Sequence, residues 1–212
     1  MNRGLFISIE GSDGSGKSTQ LSYIREYFRD RNLDAVFTRE PGGTSIGEKI
    51  RNVILDNENS EMCPLTEAML YAASRAQHVR ELIIPALKEG KHVVCDRFVD
   101  SSIAYQGHGR ELGDCVSVIN GFAVGDCMPD YTFFLDLDPE VGRGRIRSDA
   151  FDRLEQEKLT FHRRVYDGYV KLLSEEPERF IRIDASGTVE EVKEAIYASL
   201  DEIFQIRERN NG

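Results

Sequence analysis

The sequence predicts an α/β fold: a doubly wound, five-stranded parallel sheet flanked by helices. Three observations predict it. Short apolar segments alternate with helix-length stretches; three of those segments are apolar runs that end in a polar or charged residue; and a glycine-rich loop joins the first segment to the first helical stretch. Unbroken apolar runs mark strands that helices cover on both faces. Strands alternating with helices call for right-handed crossovers and a parallel sheet.

The expected strands are Leu5–Glu10, Ala35–Thr38, His92–Asp96, Tyr131–Leu137 and Phe180–Asp184, of which the first, third and fourth carry the polar ends. After the first, Leu21, Ile24 and Phe28 recur at helical spacing. A longer stretch aligns Leu65, Met69, Ala72, Ala76, Val79 and Ile83 as one apolar stripe, before Pro85 kinks or restarts the helix and Gly90 ends it. A last helix is expected over about Val189–Ile206, with Val192, Ile196 and Leu200 on one side and a frayed tail, Arg207–Gly212. In such sheets ligands bind beyond the carboxyl ends of the strands.

With 212 residues and 40% hydrophobic content, the chain can bury its core as one domain, 1–212, and no linker divides it. A net charge of −10 argues against coating nucleic acid through the overall field, but a local basic cluster can still hold a small anion. No window approaches the roughly 18 apolar residues that span a bilayer. Met1-Asn2-Arg3-Gly4 runs into a strand-like segment without a signal-peptide cleavage pattern, so the expectation is a cytoplasmic protein with no membrane partner. Cys63, Cys95, Cys115 and Cys127 lack zinc-site spacing and read as unpaired thiols.

The loop Gly11-Ser12-Asp13-Gly14-Ser15-Gly16-Lys17-Ser18 matches Gly-x4-Gly-Lys-Ser/Thr in full. Its glycines let backbone N–H groups turn inward around phosphate oxygens. Lys17 supplies a point charge to the β- and γ-phosphates, the Ser18 hydroxyl suits Mg2+, and the helix starting near Lys17 adds its positive dipole end. Gly11 to Thr19 is thus the expected ATP and magnesium site of a P-loop NTPase-type sheet. The loop implies triphosphate binding; it does not say what receives the phosphate.

The acceptor is read elsewhere. His92-Val93-Val94-Cys95-Asp96-Arg97-Phe98 ends a strand in an acid–base pair, and Val99-Asp100-Ser101-Ser102-Ile103-Ala104-Tyr105-Gln106-Gly107 follows. Arg97 is there either as half of a salt bridge with Asp96 or as a bidentate phosphate ligand facing the crevice. Tyr71 and Arg75, four apart, project from one helical face; they suit a base that is stacked and hydrogen-bonded, and equally an ordinary core tyrosine beside a surface arginine.

The stretch from His92 to Gly107 resembles the signature of the thymidylate kinases, which phosphorylate dTMP to dTDP for dTTP synthesis. Thr38-Arg39-Glu40-Pro41-Gly42-Gly43-Thr44, Tyr71-Ala72-Ala73-Ser74-Arg75-Ala76-Gln77-His78 and Asp152-Arg153-Leu154-Glu155-Gln156-Glu157 are similar to that family's second-strand loop, base-binding helix (about 64–82) and lid end. The resemblance covers nearly the whole chain. It implies that Tyr71 stacks on thymine, Arg75 reads its O4, and Arg97 and Arg51 take the acceptor phosphate. It further implies that Asp13 meets the 3′-hydroxyl, Tyr105 crowds the 2′ position, and Glu40, Ser102 and Gln106 are polar contacts. Asp96 would stand near the magnesium or orient Arg97. Glu40-Pro41 matches a turn where a cis bond occurs, and the family implies a homodimer.

Arg143, Arg145, Arg147 and Arg153, interleaved with Gly142 and Gly144, make a basic cluster in an acidic chain. It reads as a mobile lid, about 141–154, that closes over ATP, or as a solvated basic turn. The family places its extra arginine either in the phosphate loop after the aspartate or in the lid; Gly14 stands at the first position, so the resemblance is to the lid-arginine type. Arg153 and Arg147 are the expected catalytic arginines beside Lys17 and Arg97, with the register in the lid open. In-line transfer to an acceptor that is already a phosphate asks for alignment and charge neutralisation, with no strong base. The alternatives are a related kinase for another nucleotide or nucleoside and a nucleotide-dependent regulatory switch.

Overall fold

The computed structural model describes residues 3–145 and 152–211. Its elements run β1 (Phe6–Glu10), α1 (Lys17–Asp30), β2 (Ala35–Arg39), α2 (Ser45–Leu55), α3 (Pro64–His78), a π-helical turn (Val79–Ile83), α4 (Ile84–Lys88), β3 (His92–Asp96) and α5 (Val99–Ser102). A second π-helical stretch (Ile103–Gly109) leads to α6 (Cys115–Val124), β4 (Tyr131–Asp136), α7 (Pro139–Arg145), α8 (Leu159–Glu175), β5 (Phe180–Asp184) and α9 (Val189–Asn211). The five strands are parallel in the order β2-β3-β1-β4-β5, as the alternation of apolar runs and helices predicts. The strand ends differ from expectation by single residues, and α9 continues through the tail expected to fray.

Alternation along β1 distributes its side chains. Ile7 and Ile9 join Phe133 and Leu135 beneath α1 and α9, where Leu21, Ile24, Phe28, Val192, Ile196 and Leu200 pack. Phe6 turns the other way, toward Val79, Ile83, Leu87 and Val93. Burying a side chain of this size contributes about 1.5–3 kcal/mol relative to leaving it in water. The sheet's central strands carry most of that burial, which fixes their carboxyl ends as a rigid platform.

The expected stripe on α3 divides. Ala72, Val79 and Ile83 are buried, but Leu65 and Met69 face outward, 44% and 52% exposed. Periodicity alone could not separate core from surface here. Gly90 does end α4: at φ +82 its N–H bonds the Leu87 carbonyl while Lys91 N–H bonds Ala86, which satisfies the helix's last carbonyls.

Candidate active site

β1 delivers the chain to the phosphate loop. Gly11 turns at φ +145, and a Cβ there would lie 2.7 Å from the Leu135 carbonyl oxygen, so no other residue fits. Gly16 stands at the N-cap of α1 with φ +92 and offers no side-chain cap, which leaves the helix's positive end for an anion. The hydroxyls of Ser12 and Ser15 are buried with no hydrogen-bond partner. Orphaned buried polar atoms are uncommon, and phosphate oxygens would satisfy these two. Lys17 Nζ donates to the carbonyls of Gly11 (3.0 Å) and Ser12 (2.9 Å). Burial, and next the neighbouring Arg97, push its pKa down to about 8.

β3 ends in Asp96 and turns at Arg97, whose φ of +66 is uncommon for a residue with a side chain. Its Nη1 donates to the Gly11 carbonyl at 2.9 Å, so Lys17 and Arg97 converge on one oxygen at the mouth of the loop. Nη2 donates to Asp13 Oδ1 (2.5 Å) and the Tyr105 hydroxyl (3.1 Å), and that hydroxyl donates to Asp13 Oδ2 (2.8 Å). Burial opposes ionisation of Asp13, yet Arg97, then Lys17 and Tyr105, hold its carboxyl below the usual range. Behind this triad Glu10 accepts from Phe98 N–H (2.7 Å), Ser101 Oγ (2.6 Å) and the Tyr169 hydroxyl (2.8 Å). Burial and the nearby Asp100 raise its pKa to about 7.

A cleft of about 720 Å3 opens over both groups, lined on one side by Glu40, Arg51, Tyr71, Arg75, Arg97, Tyr105 and Gln106. Asp13, Gly14, Gly16, Lys17, Ser18, Thr19 and Asp96 line the other side, so the predicted donor and acceptor residues meet in one cavity. Ser102 stands behind the lining: its hydroxyl accepts from Arg75 Nη1 at 2.9 Å. Arg75, 1% exposed, also donates to Glu40 Oε2 (2.7 Å), the Phe98 carbonyl (3.0 Å) and Asn120 Oδ1. The surface-arginine alternative is thereby excluded. Arg51 Nη1 donates to the Pro41 carbonyl at 2.8 Å, and Glu40–Pro41 is cis. Asp96 Oδ1 is buried without a partner, the kind of oxygen a cation beside Ser18 would satisfy.

The lid residues depart from expectation. Arg153 does not line the cleft; Glu67 Oε2 (2.6 Å) and the Ile54 carbonyl (2.9 Å) hold its guanidinium. The cause is local: Asp152 Oδ1 accepts from the N–H groups of Leu154 and Glu155 while Glu155 accepts from Asp152 N–H, a capping box that aims Arg153 at α3. Arg145 lines the cleft instead. Arg147 lies outside the described residues, as does part of the expected lid. Gly14 packs on α7: a Cβ on Gly14 would lie 2.0 Å from the Gly142 carbonyl oxygen, and one on Gly142 would lie 2.4 Å from that of Asp13. No arginine side chain can stand at position 14 in this arrangement.

Sequence reasoning missed several neighbours. Arg39, Ser101, Leu154 and Thr188 line the cleft, and Glu10, Glu67 and Tyr169 hold residues that do. Two carried signals: Glu67 precedes Tyr71 by one helical turn, and Thr188-Val189-Glu190-Glu191 is a capping box for α9. Tyr169, distant in the chain, gave none.

A phosphate loop at the carboxyl edge of a parallel sheet, faced across one cleft by a second cationic cradle, defines a P-loop kinase of small nucleotides. Residues 9–196 match the family model described as thymidylate kinase. Thymidylate kinase of Lactobacillus helveticus is 52% identical over 204 residues, covering 94% of this chain and 96% of that protein. That of Clostridium novyi is 50% identical over 200 residues, covering 92% and 98%. The crystal structure of thymidylate kinase from Ehrlichia chaffeensis superposes with a TM-score of 0.76 at 32% identity, covering 94% of this chain and 99% of the other. This chain belongs to the thymidylate kinase family.

Proposed function

We infer that this enzyme transfers the γ-phosphoryl group of ATP to dTMP, giving dTDP for dTTP synthesis, by direct in-line displacement. The observation that carries the geometry is the convergence of Lys17 and Arg97 on the Gly11 carbonyl, one from the donor loop and one from the acceptor side. ATP phosphates would draw Lys17 Nζ off its loop carbonyls and fill the donors of Gly11 to Thr19. The acceptor phosphate would take Arg97 and Arg51. Tyr71 and Arg75 would flank the base, Gln106 would meet its edge, and Asp13 and Tyr105 would bound the sugar. Arg75 spends four N–H groups on Glu40, Ser102, Asn120 and Phe98. It is therefore preset for the base: the substrate meets a guanidinium whose orientation is already fixed.

Ser18 and Asp96 fit a magnesium ion, which would neutralise charge between the β- and γ-phosphates. Among the described residues no cluster of three His, Cys, Asp or Glu side chains offers an all-protein metal site, which suits an ion shared with phosphates and water. The chain acts as one kinase domain, 1–212, in which Arg145, Asp152 and Leu154 of the expected lid line the cleft. In the lid we assign charge neutralisation to Arg145, with Arg147 a further candidate, and treat Arg153 as the brace of the lid's return. Among the described residues no helix is long and apolar enough to cross a membrane. Phe122 and Val118 on α6 are 81% and 61% exposed, and with Leu65 and Met69 on α3 they offer an apolar face for the homodimer.

The test is dTMP-dependent ADP release, with dUMP, dGMP and dAMP beside it. Turnover should depend on the acceptor and favour dTMP. Arg145→Ala should lower kcat about a hundred- to a thousandfold, the loss typical of one donor aimed at transition-state charge. Arg153→Ala should lower it less while reducing thermal stability. ATP hydrolysis at equal rates with and without dTMP would overturn the reading.

A further inference from the structure

We propose that Glu67 is a positioning residue for base selection: it fixes the side-chain amide of Gln106 so that the carbonyl oxygen, and never the NH2, meets the acceptor base. The proposal rests on the reading that this part of the cleft holds that base.

Glu67 lies on α3 one turn before Tyr71 and two before Arg75, so three residues of one helical face address the same site. Its side chain is fully buried. Four donors surround the carboxylate. Gln106 Nε2 (2.9 Å) and Arg110 Nε (3.2 Å) reach Oε1; Arg110 Nη2 (3.1 Å) and Arg153 Nη2 (2.6 Å) reach Oε2. A carboxylate has no proton to give, so the only end of the Gln106 amide that can face it is the NH2. Two guanidinium groups pin the carboxylate, and Arg110 is itself tied to Glu157.

The consequence appears at the other end of the amide. Gln106 is 1% exposed, lines the cleft, and its Oε1 is buried without a hydrogen-bond partner. An acceptor held in that state costs stability until a donor arrives. A pyrimidine with an imide N–H, as in thymine or uracil, supplies one. Cytosine places a lone pair at that ring nitrogen and would leave two acceptors opposed. A site built to accept a hydrogen bond rejects the analogue lacking the donor far more strongly than a pocket wall rejects a methyl group. Were the amide free to flip, Gln106 would serve either base and discriminate neither.

Glu67→Gln is close to isosteric and lets the Gln106 amide turn, because a neutral amide accepts from NH2 or donates to C=O equally well. The expected result is a rise in KM for dTMP of about tenfold, one well-oriented hydrogen bond's worth. The preference for dTMP over dCMP in kcat/KM should fall by at least a similar factor, about tenfold. KM for ATP and saturating kcat should change little, and Glu67→Asp should restore part of the preference. A purely structural role would lower stability and scale both acceptors together; an unchanged dTMP-to-dCMP ratio in folded Glu67→Gln overturns the proposal. Gln106→Leu separates the two layers. If that variant keeps the wild-type ratio, the base lies elsewhere and the reading beneath the proposal fails with it. Should Glu67→Gln not fold, wild-type protein carrying 13C,15N-labelled glutamine supplies the test. Adding dTMP should move the Gln106 carbonyl carbon and leave its NH2 protons bonded as before, whereas movement of the NH2 protons alone sinks the idea.

Discussion

Around the phosphate loop the cleft offers main-chain donors, a lysine parked on its own loop carbonyls, and two buried serine hydroxyls without partners. Across the same cavity almost every polar group is already engaged: Arg75 with Glu40, Ser102 and Asn120; Arg97 with Asp13 and Tyr105; Glu67 with Gln106, Arg110 and Arg153. On the proposed reading the donor side holds unsatisfied groups that ATP would complete, while the acceptor side is, among the described residues, a network closed except at Gln106 Oε1, the point left for dTMP. The first recognises charge, which any triphosphate carries. The second recognises shape and hydrogen-bond direction, which need side chains held rigidly.

The difference can be broken from the donor side first. Lys17→Ala removes a buried cation whose neighbours are loop carbonyls that a water can satisfy. Turnover should drop about a thousandfold, the loss expected when a preorganised phosphate-facing charge disappears. The melting temperature should hold or rise slightly, because a desolvated ammonium is gone. Single-turnover kinetics beside a thermal melt check both halves; a large fall in melting temperature would mean the loop is braced by Lys17 after all.

The acceptor side should fail the other way. Glu40 is 4% exposed and accepts from Arg75 Nε on one oxygen, with the His78 ring nitrogen 2.9 Å from the other. Glu40→Ala leaves the Arg75 guanidinium buried and short of its counter-charge. Breaking a buried pair at one partner costs about 3 kcal/mol or more. Urea denaturation should show that loss with an unchanged slope, and the dTMP KM should rise while the ATP KM stays put. If stability is unaffected, the network is less complete than its distances indicate.

How much of this was legible in the sequence follows the same division. The proposed donor loop is contiguous, so Gly11 to Thr19 could be read as one glycine-rich turn from β1 into α1. The sheet was legible because apolar runs of strand length have few other uses. The acceptor residues were readable as positions, not as partners: Arg75 and Arg97 were named, but their ties to Asn120, Tyr169 and Phe98 join residues far apart in the chain. Arg153 shows the limit most clearly. A basic cluster says that guanidinium groups are near, whereas the Asp152–Glu155 capping box decides which way one of them points.

The mildest test uses pH to sharpen the contrast without altering a residue. In the ligand-free cleft burial and Arg97 hold the Lys17 pKa near 8, against the favourable pull of Asp13, Asp96 and Glu10. Its pKa is depressed, so the charge is present below about 8 and lost above it. Bound phosphates favour the ammonium, so above that point ATP binding must take up a proton, and each further pH unit weakens it tenfold. From pH 7.5 to 9.5 ATP affinity should fall roughly twentyfold by that slope. Glu10, whose pKa lies at about 7, is mostly ionised at the start of this range, so Lys17 dominates the slope above pH 8. dTMP should behave differently: Tyr105 and Asp13 outweigh burial and raise Arg97 far above any pH in the experiment, so its cradle keeps its charge. Calorimetric titrations in two buffers of different ionisation enthalpy would show proton uptake near one for ATP at pH 9.5 and near zero for dTMP. A pH-independent ATP affinity, or a dTMP affinity that falls in parallel, would show that the two cradles are not the opposites described.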